Sequence, residues 1–391
     1  MGAKNIAYIN KDMLVWAREQ TPFINLEVLE IEKPNISVDK IVSWENGDDL
    51  PSVSEAKELA KIYKVPFACF YLSEIPSKKV KPYLDRRTIS GTRSSFYDIS
   101  YSLWSEIEKM HSDRDSIIEW FDPDMEKCDL PSLTDNGLEN TAAIIRKYFD
   151  LKTPFRGKSA FGSNPFAYYR GIVESKDIIV SQISGVSLEE MRGISIYYDS
   201  FPLVGINNQD YDTSKVFSLF HELAHLFRRS SSLCTIDINE NSDAEETLCN
   251  RIAAEVLMPK SSFIEMWKKE TVSSSPNLYL LEKIAGKFGV SSFSVLIRLK
   301  EIGLISKTVY DELFELLQRS FEENKVLIER KRRETEFRVK YQYVYINNHG
   351  TLFPKTILGA YASGRITMGT VCKILNVKSK HVAGIEQAVM Y

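Results

Sequence analysis

Three observations predict a predominantly helical α+β fold. Apolar residues recur at helical spacing through the first 76 residues, which predicts an all-α module. Helical patterns surround short strand-like runs at 178–181, 193–198 and 202–206, which predicts a small sheet. With 43% hydrophobic and 11% aromatic residues in 391, the chain can form packed cores. We expect four regions: the module (1–76), a linker and helical connector (77–130), a central domain (131–310), and a long helix with a mixed C-terminal segment (311–391).

The N-terminal module contains helical patterns at 13–18, 26–31 and 38–47. Its third pattern ends in Trp44-Glu45-Asn46-Gly47, and Leu59-Ala60 with Tyr63 lies in the fourth. This arrangement resembles the helix-turn-helix of XRE-type repressors, and the resemblance implies a helix placed in the DNA major groove. Lys40 and Ser43, within the expected recognition segment 37–47, are then the candidate DNA contacts.

The charge of this module complicates DNA binding. Residues 1–76 hold 8 Lys and Arg against 12 Asp and Glu, a local net charge of −4. A DNA reader normally carries a basic surface that neutralises phosphates. Two interpretations therefore stay open: a DNA-binding module, or a repressor-like fold kept as a docking surface for a partner repressor.

The connector begins with the polar stretch 77–87, which indicates a boundary. Apolar residues at helical spacing then predict a helix up to about residue 122. Nothing in the sequence decides whether two chains associate through this helix, so a homodimer is left open.

The most informative motif is His221-Glu222-Leu223-Ala224-His225. Two histidines four residues apart lie on one face of a helix, so both imidazoles can bind one metal ion with the glutamate beside it. Asp212, Thr213 and Ser214 are N-cap candidates, so a helix should begin near residue 213. This is the minimal apparatus of a zinc peptidase, and it predicts a zincin-like central domain.

A catalytic zinc keeps three protein ligands and one open position, so a third ligand is needed. Ser242 and Glu245 have capping-box spacing, which would commit Glu245 to a helix start. That reasoning selects Glu246, with Glu245 and Glu255 as alternatives. The other acidic candidates after His225 are Asp237, Glu240 and Asp243.

The paired motifs resemble one family. The pentapeptide is followed by E-x-x-C-N-x-I-A-A-E-x-L-M-P over residues 246–259. This closely resembles the ImmA/IrrE metallo-endopeptidases over roughly residues 135–300, with Cys249 and Ile252 replacing the usual Ala and Phe. The resemblance implies His221, His225 and Glu246 as Zn²⁺ ligands and Glu222 as catalytic base.

The resemblance also implies a substrate: an XRE-type transcriptional repressor, whose cleavage would derepress a stress-response or mobile-element programme. The alternative is a DNA- or protein-binding regulator, such as a phage-control or toxin-antitoxin partner, with a structural or silent zinc site. Tyr197, Tyr198 and Asn207 are candidate stabilisers of the oxyanion.

The remaining regions carry fewer functional signals. Helical runs at 278–286 and 290–299 look like a second helix-turn-helix, although core packing explains them better. Residues 311–333 predict a long helix, and Val339, Tyr341, Val344 and Ile346 predict a strand. Helices are predicted around 360, 371–375 and 382–390. His349 and His381 are predicted to be surface polar residues.

Composition favours a cytoplasmic protein that does not enter a membrane. The chain shows neither a basic-then-apolar leader nor an apolar run long enough to span a membrane. Its five cysteines, at 69, 128, 234, 249 and 372, are scattered, which fits reduced thiols. Cys234 and Cys249 are expected to pack rather than bind metal.

Overall fold

The computed structural model describes residues 5–23, 25–33, 35–76, 99–120, 130–133, 137–152, 164–229, 232–234, 244–271, 275–334 and 339–390. The chain divides into two compact units, Met1–Ser112 and Asp113–Tyr391, and the division falls within a single helix. The four regions expected from the sequence stay a prediction. Among the residues described, no helix is both long enough and apolar enough to cross a membrane.

The described part of the first unit contains helices and no β-strand longer than one isolated bridge, between Ile6 and Ser52. Its helices are α1 (Lys11–Glu19), α2 (Leu26–Glu32), α3 (Val38–Asn46) and α4 (Val53–Ile62), followed by a 3₁₀ helix (Phe67–Tyr71) and the start of α5 (Tyr101–Trp120). This confirms the predicted helices of the module and the connector. That the unit is an XRE-type helix-turn-helix stays a prediction.

Local sequence explains where these helices start and stop. Gly47 ends α3 with a φ of 84°, a left-handed conformation that glycine adopts without strain. Ser52 and Glu55 form a capping box at the start of α4. Arg18 of α1 and Glu45 of α3 form a largely buried ion pair at 2.7 Å, which joins the first and third helices.

The second unit combines helices with one sheet. In chain order it contains α6 (Leu138–Tyr148), α7 (Pro165–Glu174), β1 (Ile179–Ile183), β2 (Gly193–Ile196), β3 (Leu203–Asn207), α8 (Asp212–Phe227), β4 (Ser232–Cys234), α9 (Ala244–Leu257), α10 (Lys260–Thr271), α11 (Leu278–Phe288), α12 (Ser292–Ile302), α13 (Lys307–Glu334), α14 (Tyr341–His349), α15 (Leu352–Ala362), α16 (Met368–Ile374) and α17 (Ser379–Met390). The predominantly helical α+β fold is confirmed.

The sheet has the strand order β1-β3-β2-β4. Strands β1 and β3 are parallel, whereas β2 runs antiparallel to both β3 and β4. The three predicted strands are confirmed, and β4 was not predicted. Helix α8 packs against β2, β3, α7 and α9, so it is enclosed by the sheet and by neighbouring helices.

Helix α8 begins at Asp212, one residue before the start predicted near residue 213. Tyr211 is the N-cap and makes no side-chain capping bond, so none of the predicted candidates caps the helix. The Asp212 carboxylate instead accepts a hydrogen bond from Asn164 Nδ2 at 2.9 Å. That contact ties the start of α8 to the N-cap residue of α7.

The predicted strand after residue 338 is wrong, because Tyr341–His349 forms helix α14. Rings at positions 341, 345 and 349 recur every four residues, with centroids 6.3 and 4.4 Å apart along the helix. The buried Tyr345 hydroxyl donates to the carbonyl oxygen of Leu375 at 3.0 Å. The C-terminal segment is therefore helical wherever it is described, and not mixed.

His349 also departs from its prediction, because it is largely buried and paired. Its Nδ1 lies 2.7 Å from Asp113 Oδ2, and its ring stacks between those of Tyr345 and Phe353. His381 is partly buried, with its ring 4.2 Å from that of Tyr341. Both histidines have packing roles.

A buried ion pair anchors the C-terminal helices to the sheet. Arg170 and Glu174 of α7 pair at 3.3 Å, and Glu174 accepts hydrogen bonds from the backbone N–H and the hydroxyl of Thr351. Arg170 donates to the carbonyl oxygens of Val180 and Asn347, at 2.6 and 2.8 Å. These bonds hold α14 beside β1, the strand at one end of the sheet.

Candidate metal centre

Helix α8 presents two histidines and a glutamate inside the protein. His221 and His225 are 6% and 2% exposed, and Glu222 is fully buried. Because the two histidines are one helical turn apart, their rings lie on the same face, and the two Nε2 atoms are 3.2 Å apart. Buried polar side chains need hydrogen-bonding partners, and a residue of α9 is such a partner for both histidines.

That partner is Glu246, in the first turn of α9. Its Oε2 lies 3.1 Å from His221 Nε2, and its Oε1 lies 3.3 Å from His225 Nε2. The structure therefore brings together the three residues that the sequence selected as metal ligands. Their role as ligands stays a prediction.

The spacing of these donor atoms fits one metal ion. The two Nε2 atoms are 3.2 Å apart, and they lie 3.1 and 3.3 Å from the two different oxygens of the Glu246 carboxylate. A tetrahedral zinc ion about 2.0–2.2 Å from each ligand would separate its ligands by roughly 3.3–3.6 Å. Two imidazoles and one carboxylate are a donor set that zinc accepts, and three ligands leave one position open.

The same contacts shift the proton affinities of the site. Burial acts to raise the pKa of Glu246, but hydrogen bonds with His221 and His225 outweigh it and hold the pKa well below its usual range. Burial acts to lower the pKa of His225, but the hydrogen bond with Glu246 and the nearby carboxylates outweigh it and raise the pKa. The site thus stabilises a positive charge at the His225 imidazole.

A second group of potential ligands, His225, Glu245 and Cys249, lies beside the first. Its carboxylate is already engaged, because Glu245 pairs with Arg228 through two contacts of 2.6 and 2.9 Å. Burial and the neighbouring carboxylates raise the pKa of the Cys249 thiol, which disfavours the thiolate that a metal needs. The first group is therefore the better metal site.

The pair with Arg228 gives Glu245 a partner that the sequence did not predict. Ser242, its proposed partner in a capping box, lies outside the described residues. Arg228 is the C-cap residue of α8, and Glu245 lies in the first turn of α9. Their ion pair joins the end of α8 to the start of α9.

Glu222 packs against Gly193 of β2. A Cβ atom at position 193 would lie 2.9 Å from both Cγ and Cδ of Glu222, and closer still to Oε1. No side chain fits there unless Glu222 moves. Because position 193 is a glycine, the Glu222 side chain can occupy the space where a Cβ atom would otherwise lie.

Glu255, the other alternative ligand, lies away from the three donors in a separate ion pair. Its carboxylate contacts the guanidinium of Arg298 and accepts the backbone N–H of Lys260 at 2.9 Å. Arg298 belongs to α12 and is 3% exposed. Apolar residues of α11 and α12 are also buried in the core, among them Leu281 and Leu296, which fits the core-packing interpretation of these two helices.

We expect Glu255→Ala to destabilise the protein by about 3–5 kcal/mol, because it leaves the Arg298 charge buried with only the peripheral Glu301 carboxylate. Glu301→Ala is the matched control, since Glu301 also pairs with Arg298 but is more exposed. Chemical denaturation of both variants measures the difference. Equal, small losses would show that Glu255 is not the main partner of Arg298.

The three residues considered for oxyanion stabilisation are engaged elsewhere. Asn207 Nδ2 lies within hydrogen-bond distance of three carbonyl oxygens, those of Val186, Ser187 and Met191. The Tyr198 ring lies 3.6 Å from the Arg114 guanidinium, and the Tyr197 hydroxyl donates to Asp199 at 2.9 Å. Asn207 therefore stabilises the β1–β2 connection.

The two candidate DNA contacts lie on α3 of the first unit. Lys40 Nζ pairs with Glu55 Oε1 at 2.9 Å, so a neighbouring carboxylate already offsets its charge. Ser43 is half-buried. Neither observation supplies the basic surface that DNA binding requires, and DNA contact by these residues stays a prediction.

The chain was compared with known proteins. Residues 182–300 match the family model of the IrrE N-terminal-like domain, Peptidase_M78. This match supports the ImmA/IrrE family and a metallopeptidase function for the chain. It includes β2, β3, α8 and α9, and it begins later than the 135–300 suggested by the motifs. None of the curated proteins compared matches the chain.

Proposed function

We propose that the protein is a zinc-dependent endopeptidase in which His221, His225 and Glu246 hold the zinc ion. The observation that carries the proposal is the meeting of two imidazole nitrogens of α8, 3.2 Å apart, with the carboxylate of Glu246 on α9, whose two oxygens lie 3.1 and 3.3 Å from them. When bound, the zinc would polarise the scissile carbonyl and make water a better nucleophile.

Glu222 acts as general base and then as general acid. Its carboxylate accepts a proton from the attacking water and delivers it to the nitrogen of the leaving amine. The carboxylate is fully buried and follows His221 directly on α8. Packing against Gly193 keeps the side chain from moving toward β2.

We expect Gly193→Ala to lower the cleavage rate by about 10²-fold, because a displacement of roughly 1 Å in a catalytic group can cost that much. Metal content should stay at the wild-type level, since none of the three proposed ligands is touched. Gly171→Ala is the matched control, because a Cβ at Gly171 of α7 meets nothing within 4 Å. Wild-type activity in Gly193→Ala would show that Glu222 has room to adjust.

We propose an XRE-type repressor as the substrate and derepression of a stress-response or mobile-element programme as the outcome. The resemblance to ImmA/IrrE peptidases supports this substrate. Residues 1–76, whose described elements are helices, carry a local net charge of −4, which suits a protein partner better than DNA.

Co-expression with an XRE-type repressor encoded beside this chain tests the proposal. Mass spectrometry of the repressor should find one new terminus with the wild-type chain and none with His221→Ala. An intact repressor beside a zinc-loaded chain would contradict the proposed substrate. If peptide mapping of the host proteome also shows no cleavage that depends on His221, the regulator with a silent zinc site is favoured.

A further inference from the structure

Helix α9 contacts the ring of His225 at both nitrogen atoms. Nε2 lies 3.3 Å from Glu246 Oε1, and Nδ1 lies 3.6 Å from Cys249 Sγ. Glu246 and Cys249 are three residues apart, so they lie on the same face of α9. One helix therefore provides a carboxylate for one nitrogen and a sulfur for the other.

The Cys249 sulfur is important because it lies beside Nδ1 of His225, the nitrogen that carries the proton when Nε2 binds a metal. A neutral imidazole has one N–H, and a ring that gives its Nε2 lone pair to a metal carries that hydrogen on Nδ1. Such an N–H requires an acceptor, which in metal sites fixes the orientation of the ring. Because His225 is 2% exposed and Cys249 is fully buried, bulk water does not reach this contact.

We propose that Cys249 is a positioning residue whose sulfur accepts the Nδ1–H of His225 and so holds Nε2 toward His221 and Glu246. Cys249 is not a ligand in this arrangement, because its Sγ lies at Nδ1 of His225, whereas His221 and Glu246 lie at Nε2 of that ring. This inference rests on the proposed metal site and adds a residue that determines its affinity.

Metal affinity tests the proposal without any substrate. Zinc dissociation constants of the full chain, measured by competition with a chelator, are compared for wild type, Cys249→Ala, Cys249→Ser and Ile252→Val. Cys249→Ala should bind zinc about 10–100-fold more weakly, because that is the usual effect of removing a residue that hydrogen-bonds to a metal ligand. Cys249→Ser should recover part of the loss, because the hydroxyl oxygen is also an acceptor.

Ile252→Val is the matched control for packing. Ile252 is buried on the same helix, and the substitution removes one methylene at a cost of about 0.5–1.5 kcal/mol. It should leave zinc affinity unchanged. Equal weakening in Cys249→Ala and Ile252→Val would assign the effect to packing and overturn the proposal.

A second readout separates positioning from ligation. The absorption spectrum of the cobalt-substituted wild type should lack a thiolate charge-transfer band, and Cys249→Ala should alter the ligand-field bands that report geometry. A thiolate band would make Cys249 a ligand and overturn the positioning role. If Cys249→Ala binds zinc as tightly as wild type, this inference fails alone, whereas a wild type that binds no zinc would contradict the proposed function itself.

Discussion

Glu222→Gln is expected to lower the rate of substrate cleavage by about 10²–10⁴-fold, the usual contribution of a general acid-base residue. Glutamine keeps the size of the side chain but cannot take a proton from water. Its amide should fit the same buried space beside Gly193, so the fold is expected to persist. Cleavage of the repressor by purified chain, measured with metal content on the same sample, checks both parts.

Glu189→Gln is the matched control for this substitution, because Glu189 is exposed and lies outside the α8–α9 cluster. It should cleave at the wild-type rate. Glu222→Gln retaining that rate would remove Glu222 from the mechanism. Zinc lost in Glu222→Gln would instead make Glu222 part of the metal site.

Glu246→Ala is expected to weaken zinc binding by more than about 100-fold, because it removes one of the three proposed ligands. Loss of a residue that only hydrogen-bonds to a ligand costs roughly 10–100-fold. Glu245→Ala is a close control: the two carboxylates are adjacent in sequence, but Glu245 pairs with Arg228 at 2.6 Å. Chelator competition on both variants measures the difference. Zinc kept in Glu246→Ala and lost in Glu245→Ala would transfer the ligand to Glu245.

Local spacing was enough to predict the part of the site that lies on α8. His221 and His225 share a helix face because they are four residues apart, and the structure places their Nε2 atoms 3.2 Å apart. Glu246 was selected by assigning its neighbour to a capping box. Ser242 lies outside the described residues, so that capping box stays a prediction. The structure pairs Glu245 with Arg228, 17 residues earlier in the chain, and no local pattern indicates this pairing.

The contacts missed from the sequence are all long-range. Gly193 and Glu222 meet because β2 packs on α8, and the sequence of the strand-like run 193–198 does not indicate which residue its first glycine contacts. Cys249 was interpreted as a packing residue, and its contact with His225 depends on how α9 packs against α8. The order of the helices and strands along the chain was predictable, whereas the side-chain contacts between different helices and strands were not.

The C-terminal error has a related cause. Aromatic and β-branched residues at 339–346 are typical of strands, but most of them are exposed, and helix α14 buries Tyr345 while it packs against α17 and β1. Tertiary packing decided the outcome there. His349 was assigned to the surface for the same reason, since its partner Asp113 is 236 residues away in the chain.

Zinc K-edge X-ray absorption of the zinc-loaded full chain tests the central claim most directly. We expect a first shell of nitrogen and oxygen at about 2.0–2.2 Å with the outer scattering of two imidazoles. This result would match His221, His225, Glu246 and one exchangeable position. Sulfur at about 2.3 Å would place the metal at His225, Glu245 and Cys249 and contradict the account.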